Sequence, residues 1–160
     1  MSNSKTMVDE RQVQNLSDRE AIRQIMYAYS RAADTKDEAV RAKILSGIFV
    51  LDGTIEYGFG TWTGVSEVIG ALSRMTRPYS FTHHIISNDE IEIAGDTAVA
   101  RYMVTGAHGH DGRVFWAGAR YTHDLVRTAE GWRLVKHKCV AGWRDESGVL
   151  PEKSGDVPDV

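Results

Sequence analysis

Four long runs with the composition of β-strands limit the folds open to this chain more than any other feature. Their sequences are SFTHHIISNDEIEI, TAVARYMVTGAHGH, RVFWAGARYTHDLVRT and GWRLVKHKCVAGW. The segments between them are short and turn-like, with the sequences AGD, HDG and AEG. Because turns of this length join neighbouring strands, the pattern predicts an antiparallel meander.

The chain before these strands has the pattern of helices. Ser17 and Glu20 in SDRE can form a capping box, which predicts that the first helix begins there and ends around ADTKD. Its apolar residues follow at steps of three and four and form one stripe: Ile22, Ile25, Met26, Tyr29 and Ala33. Two more helices are predicted over DEAVRAKILSGIF and VSEVIGALSRM, with a strand TIEYGFG between them. Three helices before a bent sheet indicate an α+β fold whose helices cover one sheet face.

Composition excludes several classes of protein. A chain of 160 residues is about one domain, and we expect an arm over 1–16, the domain over 17–143 and a polar tail over 144–160. A net charge of -3 with dispersed basic residues argues against nucleic-acid or membrane partners and favours a small-molecule substrate. No apolar run suits a signal peptide or a membrane span, and Cys139 is the single cysteine. These features predict a cytoplasmic protein.

Alternation along the strands predicts which side chains face the interior. In the second long strand the even positions are the more apolar, and in the third the odd positions are, so His108 and Tyr121 should face inward. In THHIIS the alternation favours His83 over His84, but a bulge near SND would reverse that count. The pattern alone leaves the choice between these two histidines open.

Asp34 stands where the first helix gives way to a turn. Polar residues are common at such positions, yet a carboxylate near a helix C-terminus faces the negative end of the helix dipole. The helix itself therefore does not favour this charge. A nearby imidazole would supply the missing partner.

These segments resemble the SnoaL-like branch of the nuclear-transport-factor-2-like superfamily. The resemblance rests on YAYSRAADTKD, IEYG, THHIIS and EGWRL in this order, and it covers 17–143. The chain looks closest to the scytalone dehydratases, with the hexachlorocyclohexane dehydrochlorinases and bile-acid 7α-dehydratases as relatives. The resemblance implies a cone-shaped α+β barrel, with three N-terminal helices packed on a strongly curved, mainly antiparallel sheet.

The resemblance also implies an active site. The family's Asp–His pair falls on Asp34 and His84, because ADTKD matches almost without gaps and the following IIS keeps register. The second histidine falls on His108, and the strand tyrosine that holds a water against the substrate carbonyl falls on Tyr57. The helix tyrosine of the bile-acid enzymes falls on Tyr29. The family argument thus selects His84, and His83 is the alternative.

The implied reaction is a β-elimination, most simply loss of water, without a cofactor. A neutral His84, held by Asp34, would remove a proton next to a carbonyl group. Tyr57 would stabilise the developing oxyanion, and His108 or Tyr29 would protonate the departing group.

The substrate is expected to differ from that of the scytalone dehydratases. Ala119 and Tyr121 stand where those enzymes carry a serine and an asparagine. The expected pocket walls are apolar and aromatic and suit a small cyclic or aromatic molecule: Met26, Phe59, Met103, Phe115 and Tyr121.

Three other functions remain open at this stage. A proton-transfer isomerase would use the same base and oxyanion donor, and a ligand-binding protein would use the same pocket with structural histidines. A metal site would draw on a histidine cluster, although adjacent strand residues point apart: His83, His84, His108 and His110.

The meander also predicts assembly. Four long strands and three short helices leave part of one sheet face uncovered, and apolar sheet surface commonly marks an interface. We expect a homo-oligomer, a trimer first and a dimer second, with Trp116 or Trp143 near the contact.

Overall fold

The computed structural model describes residues 9–145. Within this range the chain forms three helices, α1 (Glu10–Asp34), α2 (Glu38–Ile48) and α3 (Val65–Thr76). It also forms six strands, β1 (Phe49–Tyr57), β2 (Gly60–Thr63), β3 (Phe81–Ala94), β4 (Thr97–His110), β5 (Arg113–Thr128) and β6 (Gly131–Asp145). The predicted helices and long strands are all present, and the α+β class is confirmed.

The six strands form one curved sheet in the order β2-β1-β6-β5-β4-β3. Strands β3 to β6 are the predicted antiparallel meander, with short turns between consecutive partners. The first strand is longer than expected and pairs in parallel with β6, while β2 folds back along it. This crossover brings the end of β1 beside the middle of β6, at the edge of the meander.

The first helix begins earlier than the capping box predicted. Asp9 is its N-cap and accepts a hydrogen bond of 2.9 Å from the amide of Arg11, so Ser17 and Glu20 lie within the helix. Val13 and Leu16 are 50% and 68% exposed. The first turns of the helix are exposed to solvent, so they need no apolar stripe. Without such a stripe the sequence does not predict a helix there. Residues 1–8 of the predicted arm and 146–160 of the tail lie outside the described residues.

The predicted stripe of α1 is buried and packs the helix onto the sheet. A second contact anchors the same helix: Asp18 accepts two hydrogen bonds of 2.7 Å from Arg127 and one of 3.0 Å from Trp132. The Arg127 hydrogen bonds hold the pKa of the Asp18 carboxyl far below its ordinary value, against the effect of burial. Both contacts set where the C-terminus of α1 meets β3.

A bulge in β3 decides which histidine faces the interior. The register of β3 against β4 shifts between Ser87 and Glu90, and Asn88 has a φ of 54°. Before the bulge the even positions point inward, so His84 is partly buried and His83 is exposed. After it the odd positions do, and Ile91 is buried. The preference of the alternation for His83 was therefore wrong, for the reason that the sequence already suggested.

Candidate active site

A cavity of about 690 Å³ lies between the end of α3 and the inner face of the sheet. Strands β1, β3, β4, β5 and β6 all contribute to its wall, because the curved sheet wraps around it. Its polar side chains include Arg74 and Thr76 of α3 and, from the strands, Tyr57, Thr82, His84, His108, Tyr121 and Arg144.

The predicted Asp–His pair forms at the wall of this cavity. The Nδ1 atom of His84 lies 2.6 Å from Oδ1 of Asp34, and the backbone amide of His84 donates to Oδ2 over 3.0 Å. The hydroxyl of Thr82 donates to Oδ1 of Asp34 over 3.0 Å. Three donors therefore fix this carboxylate. Thr82 was not among the predicted site residues, although it lies on the same strand face as His84.

The charge of Asp34 is stabilised in spite of its position. Partial burial raises its pKa, but the hydrogen bonds and charge of His84 and the bond from Thr82 outweigh burial and lower the pKa overall. The buried guanidinium of Arg41 donates to the carbonyls of Ala32, over 2.9 Å, and Thr35. Arg41 thereby satisfies carbonyls at the end of α1 and holds the turn that carries Asp34.

The pairing also fixes the form of the His84 ring. A carboxylate can only accept a hydrogen bond, so Nδ1 of a neutral His84 carries the proton and Nε2 carries the lone pair. His84 lines the cavity, and its side chain is 10% exposed. The arrangement supplies a base whose free nitrogen is directed away from its carboxylate partner.

His108 stands next to this base but in a different environment. The two ring centroids are 5.6 Å apart, and the other neighbour of His108 is Phe115, stacked at 4.7 Å. Burial, and then the charge of His84, lower the pKa of His108 to about 4. The lowered pKa favours a neutral His108 near pH 7, so this side chain is suited to hydrogen bonding more than to the role of imidazolium acid that the resemblance implied. Its buried Nδ1 has no hydrogen-bond partner among the described residues.

Gly106 makes room for both imidazoles. It pairs with His84 across β3 and β4. A Cβ atom at Gly106 would lie 2.8 Å from Cε1 of His108 and 3.4 Å from Cδ2 of His84. A Cβ atom at this position would force the His108 ring to shift and would only touch the His84 ring, so glycine keeps His108 in place.

Tyrosine hydroxyls form a second polar part of the cavity wall, in addition to the two histidines. Tyr57 and Tyr121 both line the cavity, and the Tyr57 hydroxyl lies 2.9 Å from that of Tyr29. Burial raises the pKa of Tyr57 and Tyr121 well above the ordinary value, so both remain protonated donors. Tyr29 is 1% exposed and does not line the cavity. It reaches the site through Tyr57 and cannot protonate a departing group directly.

The predicted pocket walls are partly correct. Phe59 and Tyr121 line the cavity. Met26 is instead fully buried in the core, and Met103 is 41% exposed on the outer sheet face. Phe115 lines a smaller neighbouring cavity. These errors have one cause: apolar character marks burial but does not distinguish the core from a cavity wall.

Cys139, the single cysteine, lies in the cavity wall. Burial raises the pKa of its thiol to about 11. A thiol that stays protonated is a poor nucleophile, so this residue shapes the wall and adds no reactive group.

The histidine cluster considered as a metal site does not form. Among residues 9–145 no group of three or more His, Cys, Asp or Glu side chains is placed to hold a metal ion. A different pair of histidines, which was not among the predicted site residues, is fully buried beneath the cavity. The Nε2 atom of His123 lies 3.0 Å from Nδ1 of His137. His123 has the same parity along β5 as Tyr121, so the alternation already predicted that it faces inward.

Comparisons with known proteins agree with this fold. The profile of the SnoaL-like domain matches residues 14–138. The uncharacterized protein Rv2910c of Mycobacterium tuberculosis is 30% identical over 129 residues, which are 78% of this chain and 85% of that protein. The hexachlorocyclohexane dehydrochlorinase LinA-type3 of Novosphingobium barchaimii has 18% identity and a TM-score of 0.78, covering 92% of this chain and 99% of its own. A scytalone dehydratase-like protein of Novosphingobium aromaticivorans has 20% identity and a TM-score of 0.71, with coverages of 87% and 95%.

The curved sheet and the three helices packed on it define an NTF2-like α+β protein. Within that class, the chain belongs to the SnoaL-like domain family. None of the helices in the described range is long and apolar enough to cross a membrane.

Proposed function

We propose that this protein is a lyase that removes water from a small cyclic or aromatic substrate by β-elimination. The observation that carries the proposal is the contact between His84 and Asp34. It leaves the basic nitrogen of a cavity-lining imidazole available, while the carboxylate is ready to stabilise the imidazolium that forms on proton transfer.

The reaction follows from the positions of the donors and the base. Nε2 of His84 takes a proton from the carbon next to a carbonyl group, and the electron pair moves to the carbonyl oxygen. The hydroxyls of Tyr57 and Tyr121 donate to that oxyanion. The electron pair then returns, the bond to the β-hydroxyl breaks, and the His84 imidazolium returns its proton to the departing oxygen. One water leaves, and His84 is neutral again.

One histidine serves as both base and acid in this scheme because His108 is neutral. A neutral His108 can still donate or accept a hydrogen bond at the departing oxygen. General acid–base assistance contributes about 10²–10⁴-fold, and an oxyanion donor about 10²–10³-fold. Factors of this size suit a proton that a neighbouring carbonyl already activates.

The cavity supports the substrate class. Its volume of about 690 Å³ suits a ring-bearing molecule, and its wall is mainly apolar and aromatic. The names of the dehydrochlorinase and the dehydratase-like neighbour agree with an elimination reaction, although their similarity to this chain is one of fold.

The proposal is tested in two stages. Protein purified without denaturation is first analysed by mass spectrometry for a retained ligand, and related cyclic β-hydroxyketones are then assayed for loss of one water. His84→Ala and Asp34→Asn should each lower turnover by about 10²-fold or more and leave the circular dichroism spectrum unchanged. His83→Ala is the matched control, since this exposed neighbour should retain activity.

Three outcomes contradict the proposal in different ways. A product with the mass of the substrate would indicate an isomerase on the same site. Full activity of His84→Ala would exclude the Asp–His base. A retained ligand that is never converted by any variant would indicate a binding protein.

A further inference from the structure

A second cavity of about 330 Å³ adjoins the first. The two share Pro78, Tyr79 and Arg144 in their walls, so they lie side by side. The smaller cavity lies at the end of β4 and the start of β5, beyond His108 when viewed from His84.

The walls of this smaller cavity carry positive charge. Arg113 and Arg144 line it together with His110, and neither cavity has an Asp or Glu side chain in its wall within residues 9–145. His110 donates from Nδ1 to the carbonyl of Pro78 over 2.9 Å, and its Nε2 lies 3.2 Å from the carboxylate of Asp111. Asp111 is thus in contact with His110, but it lines neither cavity.

Within residues 9–145, Arg113 is the basic side chain of the smaller cavity that has neither an ion pair nor a side-chain hydrogen bond. It follows the turn between β4 and β5 and makes no ion pair with a carboxylate of the described residues. Its planar guanidinium has donors arranged to hold a carboxylate at two points. Guanidinium groups around a concave, partly apolar space favour an anionic ligand group.

Arg144 links the smaller cavity to the reacting groups. Its guanidinium carbon lies 4.1 Å from the centroid of the Phe115 ring, and His108 stacks on the same ring at 4.7 Å. Two groups this close have to occupy opposite faces of the ring. The order Arg144, Phe115, His108 therefore places a fixed charge one ring away from His108, in the wall that both cavities share.

We propose that the smaller cavity binds a carboxylate of the substrate, while the ring of that substrate occupies the larger cavity. This inference rests on the proposed lyase function and narrows its substrate class to cyclic or aromatic molecules that carry an acid group. Arg113 would hold the carboxylate directly, and Arg144 would add charge from the shared wall.

The test measures binding of a matched pair of probes by isothermal titration calorimetry. The probes are 2-naphthoate and 2-naphthamide, which have the same ring and nearly the same shape but differ in charge. The wild-type protein should bind naphthoate at least about 10-fold more tightly than naphthamide, and added salt should weaken only the naphthoate complex.

Variants locate the carboxylate. Arg113→Gln should remove the preference for naphthoate and leave naphthamide binding unchanged, while Arg113→Lys should keep part of the preference. Arg101→Gln is the control, because Arg101 pairs with Glu92 on the exposed outer face. It should behave as the wild type.

Other results overturn the inference. Equal binding of both probes to the wild type, or no naphthoate binding at millimolar concentration, would exclude an anion site. A preference that survives Arg113→Gln but is lost in His84→Ala would place the carboxylate on His84 instead. The experiment measures binding and not turnover. The carboxylate site can therefore be disproved while the dehydration reaction is confirmed, and the reaction can be disproved while the carboxylate site is confirmed.

Discussion

Acidification should destabilise this protein because His123 and His137 are buried without a carboxylate. Both are 0% exposed. Burial lowers the pKa of His123 to about 3, and burial together with the charge of His123 lowers that of His137 well below its ordinary value. The groups around them are neutral: Tyr29, Tyr102 and Tyr121.

The sign of the effect follows from these lowered pKa values. Between about pH 6.5 and the folded-state pKa the unfolded chain binds a proton at each histidine and the folded chain does not. Stability is therefore fully present above about pH 6.5 and is lost as the pH falls below it. Going from pH 7 to pH 5 lowers the free energy of unfolding by about 2 kcal/mol for each histidine, or about 4 kcal/mol for the pair.

Urea unfolding at pH 5, 6, 7 and 8 measures this slope. His123→Gln and His137→Gln should each remove about 2 kcal/mol of the change between pH 7 and pH 5. The double variant should leave the smaller contribution of the half-buried His108, whose pKa burial also lowers. His83→Gln is the control, because an exposed histidine should leave the slope as it is. A wild-type free energy of unfolding that stays constant from pH 7 to pH 5 would refute the reasoning.

Two further predictions concern Gly106 and assembly. Gly106→Ala should lower kcat/KM by about 10- to 100-fold, because its Cβ would displace the His108 ring that stands beside His84. Gly47→Ala, which adds a Cβ into open space on α2, should have no such effect. A Gly106→Ala variant as active as Gly47→Ala would contradict the account of the site. The outer sheet face exposes Trp116, Ile85 and Met103, so we predict a homotrimer in sedimentation experiments that Trp116→Glu weakens. A monomer at micromolar concentration would contradict that prediction.

The sequence determined the fold class and most element boundaries because those depend on local patterns. The alternation of β4 and β5 and the short turns between the long strands predict the meander, and the apolar stripe of α1 predicts the helix that packs on it. Asp34 was found because its place at a helix end has an electrostatic cost that residue type and position already reveal.

Only the tertiary structure decided which side chains meet. The choice between His83 and His84 depended on a bulge at Asn88. The sequence suggested a bulge near SND, but whether it forms, and so which histidine faces inward, depends on the pairing of β3 with β4. The buried pair of His123 and His137 lies on two strands, so no local pattern joins them.

The same physical reason separates the cavity from the core. Local periodicity reports that a side chain such as Met26 or Tyr121 is turned away from water, and the free energy of burial is similar wherever it packs. Whether that side chain meets other side chains or an open cavity depends on how far the sheet curves from the helices. The curvature comes from all six strands together, so the sequence predicted the buried residues and the tertiary structure alone placed Tyr121 in the cavity wall and Met26 in the core.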